Sequence, residues 1–479
     1  MNYKIVFYIL GKVMIFLAFF MLLPFVIALV YREKSGMYFL ITALITLIIG
    51  IGISMIKPKD KRFYAREGFV VVSLSWIMIS IVGAIPFVAS GEIPSMVDAV
   101  FEMVSGFTTT GASILPRVED LSKCMLFWRS FSHWIGGMGV IVFIMAIIPM
   151  AGSNNMHLLR AESSGSNVGK LVPKMKQTAL ILYGIYLGLT VVMFIILAIS
   201  GMPVFENLCH TFGTAGTGGF GGVSDSIGSC TNAQQWIITI FMFIFGINFS
   251  FYYLIIFKKI GQALKMEEVR WYFISYVLAV VLVTWNVVEV VGNASDAIRH
   301  SAFQVASLMT TTGYSTVDFE LWPSFSKGIL LIVMFLGGCA GSTAGGIKIS
   351  RFVIGFKALA KEVKKLIHPQ RVKITKMDGK AISDDTTRMV CIYFLVYIAI
   401  YVFSFIIVSI DNFDFETNFT AVAATLNNIG PGLGEVGPTD NFSIFSPISK
   451  IVLTMDMLIG RLEIFPMLIL FMPSTWKNK

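Results

Sequence analysis

Long apolar stretches alternate with short polar loops along nearly the whole chain. Uncharged or nearly uncharged runs cover 5–31, 37–56, 68–91, 177–205, 231–257 and 389–410. Each reaches the roughly 20 residues that a helix needs to cross a hydrocarbon core. Between them lie shorter amphipathic runs, such as 95–110 and 297–312, too brief and too interrupted by polar residues to span. Four of these shorter runs lead into a compact polar turn: Thr108-Thr109-Thr110-Gly111, Thr217-Gly218-Gly219-Phe220, Thr310-Thr311-Thr312-Gly313 and Asn427-Asn428-Ile429-Gly430. The pattern predicts a leading helix pair and four units of one plan: helix, loop, short re-entrant helix, turn, second helix. The elements fall at 68–90, 97–110, 111–113 and 124–150; at 177–201, 204–216, 217–220 and 233–258; at 271–291, 296–309, 310–314 and a broken 324–356; and at 388–410, 416–427, 428–431 and 447–472. The corresponding divisions are 1–67, 68–176, 177–270, 271–387 and 388–479.

Two crossings separate the start of one unit from the next, so all four have the same orientation. They read as parallel repeats about an axis along the membrane normal, not as inverted repeats. Non-helical backbone at membrane depth is tolerated only where protein buries it or water lines it. Four such turns facing a shared axis meet that condition. The expected fold is an all-α polytopic membrane protein, with four repeats around one pore and two additional N-terminal helices.

Composition agrees. Of 479 residues, 56% are hydrophobic and 14% charged, against about 25% charged in soluble proteins. The net charge of +9 does not point to nucleic acid, because the basic residues recur in alternate loops. One loop holds Lys57, Lys59, Lys61, Arg62 and Arg66, and the next Arg160, Lys170, Lys174 and Lys176. Lys258, Lys259, Lys265 and Arg270 follow, then a long cluster from Lys348 to Lys380. By the positive-inside rule these loops and the N-terminus are cytoplasmic. Loops with Glu92, Asp98, Glu119 and Asp120, and with Asp411, Asp414 and Glu416, then lie outside. The first apolar run is too long for a cleavable signal and lacks a small-residue cleavage site. The five cysteines form no CxxC or Cys/His cluster, so no metal site of that kind is expected. Cys209 and Cys230 either pair near the outer face or stay as separate packed thiols.

The turns suit one chemistry. A dehydrated potassium ion needs oxygens in place of its water, and backbone carbonyls supply dipoles without a fixed charge that would trap it. Aiming successive carbonyls inward demands conformations that glycine adopts with little strain. Threonine and asparagine anchor such turns through side-chain hydrogen bonds. Ser105, Gly213, Ser307 and Ala424 lie six residues before the four glycines and allow close packing of the short helices. The filter residues are thus Thr109, Thr110, Gly111; Thr217, Gly218, Gly219; Thr311, Thr312, Gly313; and Asn428, Ile429, Gly430. In the second turn Gly216, Gly218 and Gly219 leave the register open.

These turns, with His133-Trp134-Ile135-Gly136-Gly137-Met138-Gly139, the run Gly337-Gly338-Cys339-Ala340-Gly341-Ser342-Thr343-Ala344-Gly345-Gly346-Ile347-Lys348, Asn428-Ile429-Gly430-Pro431-Gly432 and Gly460-Arg461-Leu462-Glu463, resemble the Trk/Ktr/HKT superfamily of potassium transporters. The resemblance covers nearly the whole chain, and the two extra helices fit the Trk branch. It implies potassium uptake in the bacterial inner membrane, with one filter glycine from each repeat: Gly111, Gly219, Gly313 and Gly430. A serine at the first of these goes with sodium transport in plant relatives, so Gly111 favours potassium; a sodium-permeable transporter of the same fold is the alternative. The resemblance also implies a homodimer with one pore per protomer. A cytosolic ring of TrkA-like regulatory subunits would bind NAD or adenine nucleotides, leaving this chain without a cofactor and with potassium as its substrate.

The run 337–346 carries five glycines, each costing about 1 kcal/mol within a helix. Read alone, it is a close-packing motif, a nucleotide loop or an interruption; the resemblance makes it an intramembrane gate, formed by Gly337, Gly338, Gly341, Ser342, Thr343, Gly345 and Gly346. Arg461 lies mid-span, where a charge is costly, and is expected to face water or a carboxylate. Asp456 and Glu463 are near in sequence, and the resemblance puts Arg461 at the pore below the filter. His133 reads as a hydrogen-bonded structural residue, with Trp134 beside it. His210 supports the second turn. Glu102 adds negative potential at the mouth or caps a contact, and Asp296 reads as an N-cap. The basic segment 348–388 is either a partner-docking face or a positive-inside loop. No ATP-binding motif is present. Acids and histidines inside the spans are too sparse for a membrane enzyme, so none is expected.

Overall fold

The computed structural model describes residues 1–56, 58, 65–147, 175–368 and 375–477. Several basic positions singled out in the loops, including Lys57, Lys59, Lys61, Arg62, Arg160, Lys170 and Lys174, lie outside them, as does the expected helix end at 148–150. Among the described residues the regular structure is helical apart from a hairpin of two-residue strands, Lys376–Met377 antiparallel to Lys380–Ala381. Six helices are long and apolar enough to cross a membrane: Tyr3–Tyr31, Gly36–Ser54, Arg66–Ser90, Leu180–Ile199, Glu267–Val291 and Asp384–Asp411. Ile48, Ile199, Trp285 and Leu395 stand exposed on them. Soluble proteins rarely expose apolar surface on that scale.

Four short helices sit inside this frame, at Met96–Phe107, Val204–Gly216, Ala294–Met309 and Phe415–Leu426. Beyond their first turns they are buried almost all round. Ser95 caps the first by accepting from the N–H of Asp98 at 3.3 Å. The third begins two residues earlier than its sequence suggests. Its cap is Asn293, which accepts from Ser295 N at 3.1 Å. Asp296 lies in the first turn instead and pairs with Arg299 at 2.5 Å. Asparagine and aspartate cap about equally well, so the residue type at Asp296 did not by itself fix the start.

The helices that follow the turns depart most from expectation. Lys123–Ile147 runs unbroken through the described residues. The stretch expected as one span over 231–257 is instead two helices, Asn232–Phe245 and Phe249–Ile256, at 90° to each other. Ser324–Leu336 stops before the glycine run, and a helix resumes only at Ile349–Ile367. The last, expected over 447–472, divides into Pro447–Arg461 and Phe465–Phe471, with Glu463 and Ile464 at φ of 59° and 68° between them. The N-terminal helices dock on the first unit through Glu33. Its carboxylate accepts from Lys123 N at 2.7 Å and Cys124 N at 2.9 Å, two donors that the start of a helix leaves without partners.

Candidate functional site: four turns in a closed cycle

Each short helix ends the same way. A left-handed residue closes each: Thr109, Thr311 and Asn428, one past the C-cap, at φ 53°, 57° and 56°, and Thr217, itself the C-cap, at 56°. The next N–H reaches back to a carbonyl five residues earlier: Thr110 to Ser105 at 2.9 Å, Gly218 to Gly213 at 2.8 Å, Thr312 to Ser307 at 2.7 Å and Ile429 to Ala424 at 2.8 Å. This closing pattern normally places glycine at the left-handed position. A threonine or asparagine there costs about 1–3 kcal/mol, so the surroundings must hold it. Thr217 Oγ1 donates to Gly216 O at 2.6 Å. Thr311 Oγ1 accepts from Gly345 N at 2.6 Å. Asn428 Nδ2 donates to Met457 O at 2.8 Å and to Thr110 Oγ1 at 3.0 Å. The small residues 105, 213, 307 and 424 therefore also supply the carbonyls that close each helix.

Two residues further on, Gly111, Gly219, Gly313 and Gly430 have φ of 82°, 83°, 83° and 103°. A Cβ added to Gly111 would strike the carbonyl oxygen of Gly218. At Gly219 it would strike that of Thr312, and at Gly313 that of Ile429. At Gly430 it would lie 2.9 Å from that of Thr110. The first turn thus packs on the second, the second on the third, the third on the fourth, and the fourth on the first. All four glycines line one cavity, together with Ser113, Arg129 and Pro431. The left-handed pattern assigns Gly219 as the counterpart of the other three. Gly216 and Gly218 are small for another reason, since they pack against the backbone and ring of His133.

Polar side chains brace the cycle. Glu102 is fully buried and pairs with Arg129 at 2.7 Å, and it accepts from Ile114 N at 3.0 Å. Its charge is committed to that contact rather than standing free at the mouth. Thr420 Oγ1 accepts from Leu433 N at 2.8 Å, three residues beyond Gly430 as Ile114 is beyond Gly111. His133 Nδ1 lies 2.7 Å from Gly106 O, and Trp134 Nε1 donates to Thr190 Oγ1 at 3.4 Å. His210 Nδ1 lies 3.4 Å from Tyr314 Oη, which donates to Phe220 O at 3.1 Å. Cys209 and Cys230 are unpaired.

The glycine run forms a non-helical segment over 337–348, buried except at Gly341, which is exposed, and Gly346, which is partly so. Besides the Gly345–Thr311 bond, Arg461 Nη1 donates to Thr343 O at 2.8 Å and Nη2 to Gly136 O at 3.2 Å. Arg461 is buried. Its hydrogen bonds go to backbone carbonyls of the first and third units, where sequence pointed to water or a carboxylate. The nearby acids are engaged elsewhere: Glu463 pairs with Arg351, and Asp456 accepts from Ser404 Oγ at 2.7 Å. The right-angled elbow at 245–249 and the Arg351–Glu463 pair also touch this region and were not foreseen. Gly246 and Asn248, a stop and a cap inside an apolar run, were the available signal.

Residues 35–478 match the family described as TrkH, cation transport protein. The chain is 37% identical over 490 residues to the Trk system potassium uptake protein TrkH of Escherichia coli K12, covering all of both chains. It is 34% identical over 464 residues to TrkG of the same organism, covering 96% of this chain and 95% of that one. The crystal structure of the potassium transporter TrkH from Vibrio parahaemolyticus superposes with a TM-score of 0.90 at 33% identity, covering all of both chains. These relatives are named as uptake proteins rather than enzymes. With its six apolar helices, this is a multi-pass membrane protein, and it belongs to the TrkH family of cation transport proteins.

Proposed function

We propose that this chain takes up potassium across the cytoplasmic membrane through a filter made of the four turns. The closed cycle of glycine-to-carbonyl contacts carries the reading. Left-handed residues and glycines at matched positions set four equivalent carbonyls, of Thr110, Gly218, Thr312 and Ile429, beside one another. Such an arrangement replaces the water around an alkali cation without a fixed negative charge. The names of the relatives agree with potassium as the ion. The units act as four parallel repeats around this pathway, with the two N-terminal helices outside them. An inside-negative potential favours entry by about 2.3 kcal/mol per charge for each 100 mV.

The segment 337–348 serves as the gate, with Arg461 adding a positive barrier at its edge. Support comes from their mutual bond and from the bond of Gly345 to Thr311, next to the filter. The basic segment 348–388 faces the cytoplasm, as does the N-terminus. It docks a ring of regulatory subunits that carry the NAD or adenine nucleotide, and the transporter works as a homodimer.

Rubidium-86 uptake into proteoliposomes, with potassium and sodium as competitors, tests the filter. Uptake in the wild type should be blocked by potassium and little affected by sodium, and Gly313→Ser should lose this discrimination. Equal competition by sodium in the wild type would make the chain a sodium-permeable relative. An unchanged Gly313→Ser variant would place the filter elsewhere.

A further inference from the structure

One face of the 337–348 segment meets the filter and Arg461; the opposite face is held by residues to which nothing above gives a role in transport. The elbow between Asn232–Phe245 and Phe249–Ile256 breaks a helix inside the protein. It leaves backbone groups that a continuous helix would have paired, and within a membrane each needs another partner. Asn248 Oδ1 takes the N–H of Ser250 at 2.8 Å. Tyr252 Oη donates to Ile244 O at 2.6 Å and Tyr272 Oη to Phe243 O at 3.1 Å, and the segment takes three more. Cys339 N donates to Gly246 O at 3.0 Å, and Phe249 N donates to Gly341 O at 3.0 Å. Thr343 Oγ1 donates to Phe245 O at 3.3 Å. The Ala340 N–H between them is non-helical and buried, and it donates to Glu268 Oε1 at 2.6 Å. Glu268 is 2% exposed and belongs to the first turn of a different helix, Glu267–Val291.

We propose that Glu268 is a positioning residue of the gate, holding 339–343 in a cradle whose other wall is the 245–249 elbow. This rests on the reading of 337–348 as the gate. The elbow and the segment satisfy each other's backbone groups, so neither moves alone without leaving buried donors and acceptors unpaired. Glu268 ties Ala340 to a third helix through a side-chain acceptor, on the face of the segment opposite Arg461. Movement of the segment away from the filter therefore begins with loss of the Glu268–Ala340 bond. Glu268 touches neither the filter nor the ion path and acts only through the segment.

Cys339 provides a native reporter, because its thiol is buried in the same cradle. The test uses the full-length protein in proteoliposomes, with Cys124, Cys209, Cys230 and Cys391 replaced by alanine. Two quantities are measured: the rate at which a small methanethiosulfonate reagent modifies Cys339, and rubidium-86 flux. Glu268→Ala should speed Cys339 modification by tenfold or more and raise basal flux. Glu268→Gln keeps an acceptor oxygen and should restore most of the wild-type behaviour in both. Arg461→Ala is the parallel control for the gate. If Glu268→Ala leaves modification and flux at wild-type levels while Arg461→Ala raises flux, the Glu268 assignment is overturned and the gate stands. If Glu268→Ala frees Cys339 but neither variant changes flux, the cradle is real and the segment is no gate, which overturns the proposal through its premise. If Glu268→Gln behaves as badly as alanine in a monodisperse preparation, the acceptor role is wrong.

Discussion

At the residue scale, glycine and threonine divide one task. Glycine stands where a neighbouring turn's carbonyl occupies the space of a Cβ, and at three of the four left-handed positions, Thr217, Thr311 and Asn428, the side chain pins the turn. Gly219→Ala would place a methyl group on the Thr312 carbonyl oxygen and hold a Cβ at φ 83°, a conformation costing roughly 1–2 kcal/mol for an L-residue. The neighbouring Gly222 has no atom within 4 Å of its Cβ position. Rubidium-86 uptake should therefore fall at least tenfold, or lose potassium preference, in Gly219→Ala and stay at the wild-type level in Gly222→Ala. Equal uptake by the two variants would remove the close-contact argument. The same geometry explains what could be read beforehand. Gly111, Gly313 and Gly430 were evident because one glycine ends each polar turn. The second turn was ambiguous because three glycines crowd it for different reasons, and two of them answer to His133 on another helix. Contacts of that kind leave no trace in local sequence.

At the element scale, the apolar spans and short helices were legible because hydrophobic runs and caps mark them directly. The breaks were not. An elbow inside an apolar run costs backbone hydrogen bonds, and whether a neighbour repays them is a tertiary fact. Gly246 with Asn248, and Pro466 in the first turn of the helix that resumes at Phe465, were the local marks of two breaks, since a proline fits a helix's first turn and not its interior. The glycine run of the third unit was the only break conspicuous enough to be expected. Asn248 carries a measurable share of the elbow, because its side chain caps the second arm. Asn248→Ala should lower stability by about 1 kcal/mol, the usual loss of such a cap, while Asn248→Asp, which keeps the acceptor, should recover it. Thermal unfolding in detergent checks this. Identical midpoints for the wild type and the alanine variant would mean that the elbow is set by the segment docked on it.

At the scale of the whole molecule, the cycle joins turns that lie more than 300 residues apart in sequence, from Thr110 to Asn428. Its last contact, the fourth turn on the first, is where the chain closes on itself. Asn428 Nδ2 bonds Thr110 Oγ1 there at 3.0 Å, and Lys450 pairs with Asp98 at 2.7 Å. An ion held by carbonyls from all four turns would bind the folded chain and not the unfolded one. Linkage then stabilises the protein by an amount that rises with ion concentration, about 2.7 kcal/mol at a hundred times Kd. The thermal midpoint in detergent should rise with potassium and hardly with sodium at equal ionic strength. Lys450→Ala removes one partner of a half-buried pair that closes the ring without touching the ion. It should lower the midpoint in both salts and keep the potassium-dependent rise. Gly219→Ala should instead abolish the rise, whatever it does to the midpoint itself. A potassium effect that survives in Gly219→Ala would show that the ion binds away from these turns, and equal effects of potassium and sodium in the wild type would deny the site its selectivity.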